Sequence, residues 1–79
     1  MKLNEAISLR LQEIMGSKQV NQYQLFIKSG VSQSTISDIR LMYNKSVKLN
    51  TLFELLSAMN VELVDFFDSP LLKIENITD

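Results

Sequence analysis

Gln33, Ser34, Ser37 and Asp38 fall within one short stretch and carry compact side chains rich in hydrogen-bond donors and acceptors. None has a partner that would make it a nucleophile or a base. The 79-residue chain contains no histidine and no cysteine, which removes imidazole general bases, thiolate nucleophiles, disulfides and thiolate metal sites. There is no glycine-rich phosphate loop, and the chain is too short to enclose a substrate pocket, so no catalytic site, cofactor or metal is expected and the protein is read as a non-enzyme. The carboxylates Glu62, Asp65 and Asp68 recur at helical spacing and read as a solvated helix face. What remains is recognition by hydrogen bonds and charge. A second set, Gln22, Tyr23, Arg40, Lys45 and Ser46, suits contacts with a charged backbone, and no small-molecule ligand is evident.

These residues are placed by the stretch from Asn21 to Tyr43, which reads as two short helices hinged at one glycine. Asn21 is a good N-cap, and Gln24 can return the hydrogen bond to its backbone, as in a capping box. Val20 and Leu25 occupy hydrophobic-staple positions around that cap. The helix then runs to about Ser29 and stops at Gly30, which enters the left-handed conformation without a Cβ penalty. Val31 follows as an apolar plug, Ser32 caps the next helix, and Val31 with Ile36 repeats the staple. Two capped helices around a glycine suggest a helix-turn-helix.

In the second of these helices, about Ser32 to Tyr43, the spacing of Ile36, Ile39 and Tyr43 turns them toward a core. The opposite face holds Gln33, Ser34, Ser37 and Asp38. Short polar side chains without bulk suit a helix entering the DNA major groove, where base edges present donors and acceptors. A plain solvated face has the same pattern, and periodicity does not separate the two.

The run Gln22 to Ile39, QYQLFIKSGVSQSTISDI, resembles the helix-turn-helix of the lambda repressor and Cro-like regulators, the Xre family. Gln22 matches the glutamine opening the family's second helix, Leu25 its buried leucine, Gly30-Val31-Ser32 its turn, and Gln33-Ser34-Thr35-Ile36-Ser37 the start of its recognition helix. Leu49, Thr51-Leu52 and Leu56 follow the fourth helix, and Val64 to Phe67 resemble the fifth, so the likeness spans roughly Leu3 to Leu72. It implies an all-α, compact five-helix domain over residues 1–72 and sequence-specific binding of double-stranded DNA by a small transcriptional regulator. Base contacts are then expected at Gln33, Ser34, Ser37 and Asp38, and phosphate contacts at Gln22, Tyr23, Arg40, Lys45 and Ser46. One departure stands out. The family usually has a glutamate where this chain has Arg40 and a glycine soon after, where it has Met42-Tyr43; that glutamate's arginine partner corresponds to Met15. Losing both buried charges together is less costly than losing one. Arg40 is expected to turn outward toward DNA or to pair with Glu13, and the helix to run on past Met42.

Charge agrees once divided along the chain. The net value is −1, but residues 1–50 hold seven cations against three acids, a balance of +4, and residues 51–79 one cation against six acids, a balance of −5. The first helix is expected from about Asn4 to Met15, with Leu3, Ile7, Leu11 and Ile14 on its core stripe and Gly16 to Gln19 as a polar loop. Asn44 to Lys48 reads as a phosphate-binding loop. A fourth helix, about Leu49 to Met59, carries a stripe of Leu49, Leu52, Phe53, Leu56 and Met59 and ends at Asn60; a fifth spans about Leu63 to Asp68. Residues 73–79 form a tail with several apolar residues that must fold back or pair with a second subunit, and a homodimer on a palindromic operator is expected. No leader or membrane-length segment is apparent, so a cytoplasmic location is expected. A second functional class stays open, a helical protein-interaction module such as an antitoxin-like subunit or co-regulator with the same fold.

Overall fold

The computed structural model describes residues 1–43 and 46–79. It contains α1 (Leu3–Lys18), α2 (Gln22–Ser29), α3 (Gln33–Arg40), α4 (Leu49–Ala58) and α5 (Leu63–Phe67), followed by two 3-10 turns, Pro70–Leu72 and Ile74–Asn76. No strand occurs among the described residues, so the architecture is the all-α, five-helix one expected. One core joins the helices, with Ile7, Leu11, Leu25, Ile36, Leu52, Leu56 and Phe66 among its buried members.

Helix ends follow from local chemistry. Asn21 Oδ1 accepts from the Gln24 N–H at 2.8 Å while Gln24 Oε1 accepts from the Asn21 N–H at 2.9 Å, the reciprocal capping box. Ser32 Oγ accepts from the Thr35 N–H at 3.2 Å and so opens α3. Gly30 closes α2 at φ 76°, its N–H bonded to the Phe26 carbonyl. Three further helices end in the left-handed region on residues other than glycine: Gln19 at φ 55°, Met42 at 62° and Asn60 at 58°. Each carries the same pair of closing bonds, in which the next residue's N–H returns five positions: Val20 to Met15, Tyr43 to Asp38 and Val61 to Leu56. This is the Schellman arrangement.

Two expectations are corrected here. First, α1 does not stop at Met15. It continues through Gly16 to Lys18, and Gln19 makes the corner, because Gly16 keeps helical geometry and nothing lies within 4 Å of the Cβ it lacks. Gly16→Ala is therefore expected to stabilise the domain by about 0.5–1 kcal/mol, read from the thermal midpoint; a loss of stability would contradict the helical assignment. Second, α3 does not run on past Met42. It ends at Arg40, and Met42 takes the left-handed turn itself, so the corner survives without glycine and stores strain of about 1 kcal/mol. Met42→Gly should relieve it and raise stability by about 0.5–1 kcal/mol in urea titration, offset in part by the entropy glycine adds to the unfolded chain.

The core stripes also differ in detail from periodicity. Tyr43 is 73% exposed, not core, since the turn at Met42 carries it away from the α3 axis. Leu3, Leu49 and Phe53 are likewise exposed; α4 presents Leu52, Leu55 and Leu56 inward, with Met59 just beyond its last turn. α5 buries Phe66 fully and leaves Phe67 partly exposed. The tail folds back on its own domain: the Pro70–Leu72 turn packs on α1, and Leu72 joins the core. Thr78 N–H donates to the Met1 carbonyl at 2.8 Å, and Asp79 Oδ1 accepts from the Leu3 N–H at 2.8 Å, occupying an otherwise unpaired amide at the start of α1. Ile74 stays 93% exposed.

Candidate nucleic-acid interface

α3 is fixed from beneath by Ile36 and Ile39, which are 0% and 2% exposed. Helical spacing then turns Gln33 and Ser34 outward, both exposed, with Ser37 and Asp38 half-buried along the same side. The four residues expected to read bases thus share one face, and the first turn is its most accessible part.

The N-terminus of α2 forms one shoulder of this face. Gln22 Nε2 donates to the Gln33 carbonyl at 3.3 Å, and Gln22 Oε1 accepts from Arg40 Nη1 at 2.7 Å, so one side-chain amide touches the first and last residues of α3. Arg40 therefore pairs with Gln22 and not with Glu13. Glu13 lies 3.5 Å from Arg10 instead, and Arg10 also donates to the Phe66 and Asp65 carbonyls at 2.9 and 2.8 Å, closing the end of α5. The Arg40 backbone is held as well: its carbonyl accepts from the buried Ser8 Oγ at 3.0 Å and from Gln12 Nε2 at 3.1 Å. An open cleft of 510 Å³ lies at this junction, lined by Gln12, Asn21, Gln22, Tyr23 and Arg40 among others.

The opposite shoulder is the connection into α4. Ser46 is exposed and borders a shallow groove of 310 Å³ together with Thr35, Ile39, Lys48 and Thr51. Ser46 and Val47 also border a second depression with Leu3 and Asp79. Lys45 lies outside the described residues. Gln22, Tyr23 and Arg40 are thus gathered on one flank of α3 and Ser46 on the other, with the polar face of α3 between them.

Reading helix by helix missed two contributors. Ser8 and Gln12 lie on α1, whose sequence shows only a core stripe, yet they hold the last turn of α3. A signal was present: Ser8 sits at helical spacing with Leu11 and Met15, a hydroxyl inside an apolar stripe that needed a buried partner. No buried side-chain polar atom among the described residues lacks a hydrogen-bond partner. Glu62, Asp65 and Asp68 are exposed on or beside α5.

No helix among the described residues is long and apolar enough to cross a membrane. No curated protein and no solved structure matches the chain. The family model that does match is the Cro/C1-type HTH DNA-binding domain, over residues 10–70, which takes in α2, the Gly30 turn, α3 and α4 entire. Since that match covers well over half of the chain, the protein belongs to the Cro/C1-type helix-turn-helix family of DNA-binding domains.

Proposed function

We propose that the protein is a sequence-specific transcriptional regulator that inserts α3 into the major groove of a double-stranded operator. The observation that carries this reading is the exposed first turn of α3, Gln33 and Ser34, standing between two polar shoulders. A major groove is bounded by two phosphate ribbons, so a groove-reading helix needs backbone contacts on both of its sides. In the proposed complex Gln33 reads adenine through N6 and N7, Ser34 and Ser37 add single hydrogen bonds, and Asp38 accepts from a cytosine amino group. Gln22 and Tyr23 serve one phosphate ribbon; Ser46 and Lys48 serve the other, and Lys45 adds a further phosphate contact.

The protein acts as a homodimer on a palindrome. Val64, Phe67 and Ile74 remain exposed on α5 and the tail even after Leu72 has joined the core, and a second copy covers them in this reading. Selection of duplexes from a random pool at about 150 mM salt tests both parts, because purely electrostatic binding is suppressed there. The expected result is an enriched palindrome with half-sites roughly 34 Å apart, together with a dimeric mass in solution. Exposed Tyr23, Ile27, Leu49 and Phe53 favour the second reading, a helical module that binds another protein. No enrichment, with binding that vanishes as salt rises, would replace the operator reading by that one.

A further inference from the structure

Resting on that reading, we infer that Arg40 is a positioning residue: it sets the polarity of the Gln22 amide so that Gln22 presents N–H groups, not its carbonyl oxygen, to the first turn of α3 and to the DNA phosphate beside it. A glutamine amide is nearly symmetric in shape, and its two ends differ only in chemistry, two donors on Nε2 and an acceptor on Oε1. Nothing in its own torsional preferences selects one orientation. The guanidinium of Arg40 does, through the shorter of the two contacts, and the Gln33 carbonyl, which only accepts, favours the same orientation. The guanidinium has donors only, so the end of Gln22 that meets Arg40 Nη1 at 2.7 Å must be the oxygen. The Nε2 group is thereby turned to the other side, where it donates to the Gln33 carbonyl at 3.3 Å and still has a second hydrogen to give.

The anchor for this arrangement is fixed at its backbone. Arg40 is half-buried, and its carbonyl is held twice from α1, by Ser8 Oγ at 3.0 Å and Gln12 Nε2 at 3.1 Å. Three helices therefore converge on one residue that acts on the groove face only through Gln22. If the amide were free to flip, half of its orientations would point an oxygen at the Gln33 carbonyl and at phosphate, both repulsive. The latch also ties the residue that opens α3 to the residue that ends it, so the pitch of the reading turn is held from both ends.

The test combines nuclear magnetic resonance of the free protein with operator binding. In the free wild-type protein the two Gln22 side-chain NH₂ proton signals should be displaced from the pair a solvated glutamine gives and exchange slowly with water, and in Arg40→Met, which keeps the apolar arm and removes every donor, they should return toward that pair and exchange faster. Retained signals in Arg40→Met would overturn the latch, whether or not the protein selects an operator. On a selected operator, Arg40→Met should weaken binding about 5- to 10-fold, Arg40→Lys should recover part of this, and Arg40→Met should cost under about twofold once Gln22→Ala is present. Gln22→Glu is the sharpest variant. It keeps or strengthens the link to Arg40, so thermal stability holds or rises, yet it removes the outward donors and should lower operator affinity more than Gln22→Ala does. A salt slope reduced by about 0.9 in Arg40→Met would instead show the guanidinium on a phosphate itself, and equal losses in both Gln22 backgrounds would overturn the coupling. A wild-type protein that selects no operator defeats the operator reading alone, while the amide signals still decide the latch.

Discussion

Replacing Phe66 by alanine is expected to cost about 3–5 kcal/mol, the range for a fully buried aromatic whose removal leaves a cavity. Phe66 is 0% exposed, and α5, which carries it, packs against both α1 and α4. Its backbone carbonyl also accepts from Arg10 Nε at 2.9 Å, so the collapse needed to fill the cavity would break a charged hydrogen bond. A domain of 79 residues has a total stability of about 4–12 kcal/mol, so the variant should be largely unfolded or close to it at 37 °C. Urea titration at low temperature measures the loss directly. Phe67→Ala is the control: that ring stacks edge-on against Phe66 at 5.2 Å but is 43% exposed, and it should cost less than about half as much. Similar losses for the two would mean that α5 is held by its outer face, contrary to the burial seen.

The second large effect is on recognition. Gln33→Ala should lower affinity for the selected operator by about 1–3 kcal/mol, a factor of about 5 to 150, and relax preference at a single base position. Gln33 is exposed at the start of α3, and Gln22 touches its backbone and not its side chain, so the substitution leaves the helix framework intact. Lys48→Ala, on the opposite shoulder, should weaken all duplexes alike and reduce the salt slope by about 1. Parallel binding titrations on the operator and on a scrambled duplex separate these outcomes. If Gln33→Ala weakened both duplexes equally, the base-reading role would be wrong and the face would serve only as a polar surface.

Much of the architecture was legible in the sequence because its signals act over a few residues. Asn21 with Gln24, Ser32 with Thr35, Gly30 and Asn60 are start and stop devices whose partners lie within one or two turns, and each occupies its expected position. The exposed face of α3 was legible for the same reason, since Ile36 and Ile39 allow only one orientation of the helix. Local chemistry was a poorer guide where two conformations were close in energy. Glycine at position 16 suggested a break, but a helix tolerates it, whereas Met42 accepts a left-handed turn because the closing bonds from Tyr43 and Met42 outweigh its Cβ strain.

Only the assembled helices decided the rest. Which side of α4 is core depends on where α2 and α5 lie, so Leu49 and Phe53 stay outside while Leu55 turns in. The use made of charge was equally hidden. Arg10 closes α5 across 56 positions, Arg40 reaches Gln22 across 18, Ser8 reaches the Arg40 carbonyl across 32, and Asp79 meets the start of α1 across 76. Neither the spacing nor the chemical type of these residues names their partners, because a long polar side chain bonds whatever group the packing leaves unpaired within its reach. The sequence by itself determined the number and order of the helices, the caps at Asn21, Gly30, Ser32 and Asn60, and the polar side of α3. The tertiary structure determined which polar side chains are held within the fold, because their partners are set by packing across the chain and not by local spacing.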